Sequence, residues 1–443
     1  MTTLKDIIGY ESEVKDLYYL CDMMKNGQKY IDMGVYVPKT LLLHGNPGTG
    51  KTTMAKALIN DSGRECFKCK KNKSNGDFVD EIRKTFEDAK KNEPSIVLLD
   101  DMDKFAEDNL ELNQNKEEFA TIQTCIEDLG DSDVFVIATC NDITYLPESL
   151  LRAGRFGRQM HIGNPDCKSA EKLIKYFIEN GKMKSELSSD SLAHILNNCS
   201  CAVIKEVINE ASIYALFNNS NVITKKDYIS ALLKVIYKES EREIDCSKKQ
   251  IEAKHEAGHI VVALYNHKEV SMASISNSPF CGGITCVRDE DEYSKYDLKQ
   301  ELLIALAGKA ATELDNNKQL DYGANDDVSR AARQARKAIE ECLYSGFDYG
   351  YDMDKWETKQ SLEKVARITE KVYQLLEETY EEAKEILKLN RAMLEEITAE
   401  LINNRTLLYD DINAIANKYS WINVVNNVEA KTCIKYNASI NAY

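Results

Sequence analysis

The string His255-Glu256-Ala257-Gly258-His259 sets two imidazoles four residues apart. On a helix these positions share one face, so both rings can reach a single divalent cation. Glu256 is rotated about 100° from His255 and can serve a water as general base instead of binding the metal. A second string, Gly45-Asn46-Pro47-Gly48-Thr49-Gly50-Lys51-Thr52, follows the apolar run Leu41-Leu42-Leu43. A strand ending in a glycine-rich turn that opens a helix surrounds phosphates with backbone N–H groups. Lys51 is then expected to reach the β and γ phosphates and Thr52 to hold Mg²⁺, with Thr53 completing the cradle. One chain thus carries the residues for ATP hydrolysis and for metal-assisted peptide hydrolysis.

Further residues fit these two chemistries. The apolar run Ile96-Val97-Leu98-Leu99 ends in Asp100 and Asp101. Asp100 is placed to organise Mg²⁺ through its waters, and Asp101 to orient the attacking water. Asn141, at the end of a third apolar run, can position the same water. Arg155 and Arg158 are spaced to clamp a γ-phosphate, including that of a neighbouring subunit. A catalytic zinc usually has three protein ligands and one open position. The two histidines therefore need a partner. His267 falls beyond the expected helix. Asp321, Asp326, Asp327 and Glu313 are all chemically suitable, and spacing does not choose among them.

The elements that must position these groups can be read from periodicity. Short continuous apolar runs at Thr40–Leu43, Ser95–Leu99 and Val134–Thr139 have the form of buried parallel strands. The expected fold is an α/β P-loop ATPase domain over 1–163 with a helical lid over 164–240. A mainly α-helical metallopeptidase domain follows over 245–424, with a peripheral tail over 425–443. The lid region reads as helices only, and the charged stretch Lys238–Lys249 as a connector. Val270–Ile275 and Gly283–Val287 read as a strand-like interlude. Apolar residues at helical spacing over 361–402 predict one or two core-packing helices broken near Asn390.

Composition narrows the function. The balance of 57 basic and 73 acidic residues gives a net charge of −16, which argues against a nucleic-acid partner, while the His255–His259 string implies polypeptide substrates. No apolar run approaches the ~20 residues that span a bilayer. The expectation is a cytoplasmic, soluble chain with no integral membrane segment. The odd number of 13 cysteines reads as reduced thiols, and Cys66-x-x-Cys69 as two loop cysteines.

The opening LKDIIGYESEVKDL and the run LLRAGRFGRQMHI, together with the phosphate loop and acidic pair, resemble the FtsH-type AAA+ metalloproteases. The resemblance extends over about residues 4–420. It implies an AAA+ module assembled as a homo-hexamer, with ATP, Mg²⁺ and Zn²⁺ as cofactors. It also implies that Arg155 and Arg158 serve the adjacent subunit's ATP and that Ile8 and Gly9 lie near the adenine. Gly323-Ala324-Asn325-Asp326-Asp327-Val328-Ser329-Arg330-Ala331 resembles the segment bearing the family's third zinc ligand, which selects Asp327. Gly282-Gly283-Ile284-Thr285 resembles an edge strand beside the cleft, and ALAGKAATEL a helix behind the zinc.

The chain departs from that pattern in three places. It starts directly at the ATPase, without the family's two membrane spans. Asp101 stands where the family has Glu, one methylene longer. The segment Cys66–Asp80 contains four lysines and lacks the aromatic–apolar–Gly motif of the pore loop. It reads either as a pore for acidic or loose polypeptide or as a solvated loop with weak unfolding power. The alternative to an ATP-dependent endopeptidase is an ATP-driven remodeller with a weak or idle protease.

Overall fold

A computed structural model describes residues 2–71, 75–105, 115–238, 246–275, 283–287, 295–314, 324–342, 344 and 362–419. The chain divides into two compact units, Met1–Ile236 and Tyr237–Tyr443.

The first unit opens with α1 (Glu11–Lys25) and α2 (Gly27–Asp32). Then come β1 (Thr40–His44), α3 (Lys51–Ser62), β2 (Glu65–Cys69), α4 (Asn75–Lys91), β3 (Ser95–Leu99), α5 (Asn115–Asp128), β4 (Val134–Cys140) and β5 (Gln159–His161). The five strands form one parallel sheet in the order β2-β3-β4-β1-β5. Alternation along each strand splits the core between its two faces. Leu41, Leu43, Ile96 and Leu98 pack with Leu17, Leu20 and Leu58 on one side. Leu42, Val97, Leu99 and Val136 pack with Phe78, Ile82 and Ile122 on the other. Both faces are therefore covered by helices, which is why β3 and β4 are mainly apolar and fully buried. The sheet order also has a functional result. It inserts β4 between β1 and β3, so the ends of these three strands meet.

The lid comprises α6 (Cys167–Asn180), β6 (Lys184–Ser185), α7 (Ser189–Ile195), α8 (Cys201–Phe217), β7 (Val222–Ile223) and α9 (Lys225–Tyr237). Asp166, Ser188 and Ser200 cap α6, α7 and α8 by accepting a backbone N–H at the third helical position. The all-helix expectation for this region needs correction, because β6 and β7 pair in parallel. At two residues each, they are too short to leave a periodic signal.

The second unit contains α10 (Cys246–Tyr265), β8 (Val270–Ser274), β9 (Ile284–Val287), α11 (Lys295–Glu313), α12 (Asn325–Glu341), α13 (Leu362–Leu389), α14 (Arg391–Asn404), β10 (Thr406–Leu408) and α15 (Tyr409–Ala416). Helix α10 packs along α11 and α14. Its residues Ala257, Ile260 and Val261 share a core with Ala307, Ala311, Leu394 and Ile397. Helix α13 turns Ile368, Val372 and Leu375 onto Leu302, Leu306 and Ala335. The helical pattern over 361–402 is thus core packing, with Asn390 at the break. A three-stranded antiparallel sheet has the order β10-β8-β9, which leaves β9 at one edge.

Two further expectations change. Cys246–Lys249 belong to α10 and not to a connector. Cys66 and Cys69 lie on β2 and not in a loop. Burial pushes their thiols up, to about 11 and about 12, so both are protonated and unreactive. The part of the lysine-rich segment at 72–74, the stretches 239–245 and 276–282, Asp321 and the tail at 425–443 lie outside the described residues.

Candidate metal centre and nucleotide site

Helix α10 carries His255, Glu256 and His259 at 8%, 4% and 5% exposure, which removes all three from bulk water. Buried polar groups of this kind need partners. His255 Nε2 lies 3.0 Å from His259 Nε2, and Asp327 Oδ2 lies 3.1 Å from the first and 3.2 Å from the second. Among the described residues, these three form the one cluster able to hold a metal ion. Donor atoms of a tetrahedral zinc, each near 2.0 Å from the ion, are about 3.3 Å apart. The observed triangle is close to one face of that tetrahedron. The donor set of two imidazoles and a carboxylate also suits zinc.

Neighbouring groups hold these donors in place. His259 Nδ1 is 2.6 Å from the carbonyl oxygen of Ile304. A carbonyl can only accept, so Nδ1 carries the proton and Nε2 presents its lone pair to the cluster. Arg330 Nη2 donates to Asp327 Oδ1 at 3.0 Å and fixes the carboxylate from the far side. Burial alone would raise the Asp327 pKa, but its close contacts with the His255 and His259 rings hold it far below the usual range. Helix α11 passes beside the rings because residue 308 is glycine. A Cβ there would lie 2.5 Å from His255 Nε2 and 2.6 Å from His259 Nε2. Gly258 permits the same approach from α10, since its Cβ would meet the Ala307 carbonyl oxygen at 2.6 Å.

The other described candidates for the third donor are engaged or placed elsewhere. Asp326 is exposed, and Glu313 is engaged with Lys309 and Tyr380. His267 sits past the end of α10 in a left-handed conformation with φ 59°. Glu256 is held by β9, where the Thr285 hydroxyl donates to Glu256 Oε2 at 2.5 Å.

In the first unit the phosphate loop joins β1 to α3. Gly45, Gly48 and Gly50 all have positive φ, at 139°, 82° and 102°. Gly45 also needs to lack a side chain, because a Cβ would lie 2.2 Å from the Ile162 carbonyl oxygen. Lys51 is buried, and its ammonium donates to the Gly45 and Asn46 carbonyls at 2.7 Å each. It therefore lies within the loop's own curve, where phosphate oxygens would replace those carbonyls. Thr49 donates to Asn46 within the same curve, at 3.0 Å. Pro47 is exposed at the top of the loop, and Thr53 is exposed on α3.

The strand ends meet here. Thr52 and Thr139 donate to Asp100 Oδ1 at 3.1 and 2.8 Å, bringing the two expected Mg²⁺ residues together. Thr139 also accepts the Asp101 N–H at 2.9 Å. Asp101 adopts a left-handed φ of 58° and pairs with Lys104 at 2.8 Å and Lys70 at 3.7 Å. Burial would raise its pKa, but Lys104 draws it below the usual range. The Asn141 amide donates to buried Asp103 through both backbone N and Nδ2, at 3.2 and 2.9 Å.

Arg155 Nε donates to Glu127 at 2.8 Å, so within one chain it is held on α5 and not on the phosphate loop. The Arg158 side chain is half-buried and has no ion pair among the described residues. Gly9 has φ 72° and packs on Ser169 of α6, with Ile8 half-buried beside it. On the loop's lid side, Ala202 N–H donates to the Gly48 carbonyl at 3.0 Å.

Residues 41–164 match the ATPase family associated with various cellular activities (AAA), and residues 242–415 match peptidase family M41. The ATP-dependent zinc metalloprotease FtsH 1 of Thermoanaerobacter sp. (strain X514) is 30% identical over 94% of this chain and 72% of its own length. The chain belongs to the FtsH family of ATP-dependent zinc metalloproteases. FtsH 2 of the same organism is 28% identical over 93% of this chain and 82% of its own. FtsH of Parabacteroides distasonis is 28% identical over 95% and 65%. Among the described residues, no helix of this FtsH-family chain is long and apolar enough to cross a membrane.

Several residues that shape the sites of this FtsH-family chain carry no motif signal of their own. Thr139 and Asp103 act on the nucleotide side, and Thr285, Gly308 and Arg330 on the metal side. Gly308 lies within ALAGKAATEL, where its single missing Cβ could have drawn attention. Thr285 and Arg330 likewise lie within the strings Gly282–Thr285 and Gly323–Ala331, which give them no role of their own, and Thr139 and Asp103 are ordinary residues until the fold brings them to Asp100 and Asn141.

Proposed function

We propose that this chain is an ATP-dependent zinc endopeptidase that works as a homo-hexameric ring in the cytoplasm. The reading is supported above all by the mutual approach of His255, His259 and Asp327 in a chain that also carries a complete phosphate loop. The ten cysteines whose side chains are described form no disulfide with one another, which is compatible with a reducing compartment.

In the peptidase, His255, His259 and Asp327 would hold the zinc. Zinc bound there supplies Lewis acidity that activates a water and polarises the scissile carbonyl. Glu256 takes the proton from the attacking water and delivers it to the leaving amine. Strand β9 is the outer strand of its sheet among the described residues, and an extended polypeptide would pair along it.

In the ATPase, Lys51 would neutralise the β and γ phosphates, and Thr52 with Asp100 would hold Mg²⁺. The loop amides of Gly45–Gly50, with Thr53 behind them, complete the cradle, and Ile8 and Gly9 border the adenine. Asp101 and Asn141 would orient the attacking water. Arg155 and Arg158 would reach the neighbouring subunit's γ-phosphate, with Glu127 presenting Arg155 until the ring assembles.

Because Lys104 and Lys70 hold the shorter Asp101 carboxylate, ATP turnover is expected to be slow. Asp101→Glu is expected to raise it severalfold in a phosphate-release assay. Unchanged or lower turnover in that variant would count against the role given to Asp101.

The test of the whole reading is casein cleavage measured with ATP, without ATP, and with ATP after metal chelation. Cleavage that needs both nucleotide and metal supports it. ATP turnover with no cleavage would make the chain a remodeller, and cleavage indifferent to nucleotide would make it a simple peptidase.

A further inference from the structure

The contacts around Glu256 point beyond its role as base. Thr285 donates its hydroxyl to Glu256 Oε2 at 2.5 Å and lies 3.4 Å from the Glu256 carbonyl oxygen. Two residues earlier, Gly283 projects toward the same face, since side chains of an extended segment repeat every second residue. A Cβ at Gly283 would lie 2.4 Å from Glu256 Oε1 and 2.6 Å from its Cγ. One carboxylate oxygen is therefore tied down, while the other lies over a position with no side chain. Among the described residues, Oε1 accepts no hydrogen bond. The carboxylate cannot turn without breaking a short charge-assisted bond.

The segment making these contacts is the outer strand of its sheet. Thr285 sits opposite Ala273 and Ile284 opposite Ser274 on β8, and β9 has no partner strand on its other side among the described residues. Backbone pairing to a polypeptide along that side would stiffen the strand that holds Glu256.

We infer that Thr285, with the bare Cα of Gly283, is the positioning device of Glu256, directing Oε1 toward the reacting water and linking polypeptide docking on β9 to the orientation of the base. The inference rests on Glu256 being the general base, as proposed above. Thr285 takes up no proton in the reaction. It holds the geometry in which Glu256 does so. The hydroxyl is the required feature, so serine can replace threonine and valine, of the same shape, cannot.

The test uses the full chain, wild type and the variants Thr285→Val, Thr285→Ser, Gly283→Ala and Glu256→Gln. Steady-state cleavage of a fluorogenic peptide is measured together with zinc content and ATP turnover. Loss of a hydrogen bond to a charged group is expected to lower kcat of Thr285→Val about 10- to 100-fold, with KM held within about twofold. Thr285→Ser restores kcat, and zinc content and ATP turnover stay at wild-type levels in both. Gly283→Ala, which keeps the hydroxyl and displaces Oε1, is expected to lower kcat in the same way and provides the test if the valine variant does not fold. Wild-type kcat in Thr285→Val, or equal loss in the valine and serine variants, overturns the inference while an inactive Glu256→Gln leaves the base in place. Where Thr285→Val cannot be purified, wild-type kcat in Gly283→Ala overturns it. Full activity in Glu256→Gln overturns the base and the inference together.

Discussion

Glu256→Gln is expected to reduce casein cleavage by about 10²- to 10⁴-fold, the span a well-placed general base contributes. Glutamine keeps the size and the hydrogen bond from Thr285, because its amide oxygen can still accept. It loses only the ability to take a proton. The variant is therefore expected to fold, retain one zinc per chain and hydrolyse ATP at the wild-type rate. Cleavage followed by gel densitometry, with zinc measured by mass spectrometry on the same preparation, checks both halves. Loss of cleavage together with loss of zinc would mean that residue 256 supports the cluster structurally and is not the base.

The second large effect belongs to Lys51. Its buried ammonium holds the Gly45 and Asn46 carbonyls. Burial draws its pKa below the usual lysine value. Replacing it with alanine removes the charge that would neutralise the transferred phosphate. Loss of one such preorganised donor lowers turnover by about 10²- to 10³-fold. ATP turnover and casein cleavage are expected to fall together in Lys51→Ala. Cleavage of a short unstructured peptide, which has no fold to undo, is expected to persist. If casein cleavage survives while ATP turnover is lost, the two units work independently and the ring does not drive the protease.

The path from sequence to site was uneven for identifiable physical reasons. His255, Glu256 and His259 lie within one helical turn, so their geometry follows from the helical repeat alone. The phosphate loop is equally local, a strand, a turn and a helix in succession. Asp327 is 68 residues beyond His259, and neither periodicity nor spacing could separate it from Asp321, Asp326 or Glu313. Its selection rested on family resemblance, and the structure places its carboxylate against both imidazoles. Thr139 reaches Asp100 only because β4 is inserted between β1 and β3, a fact of sheet order that no local pattern carries. Gly308 and Gly283 matter for side chains they lack, against partners on another helix and strand. The short strands β6, β7 and β10 are two or three residues long and sit within helical regions, below the length at which alternation is visible. Cys66 and Cys69 read as loop residues because β2 is half-exposed and lacks the apolar run of its neighbours.

The account turns on one cation being shared by a helix pair of imidazoles and a carboxylate distant in sequence. Anomalous scattering at the zinc edge from crystals of the purified chain tests this directly. The expected result is a single strong peak about 2 Å from His255 Nε2, His259 Nε2 and an Asp327 oxygen, with Glu256 outside bonding distance. A peak held by other residues, or no peak in protein that cleaves casein, would contradict it.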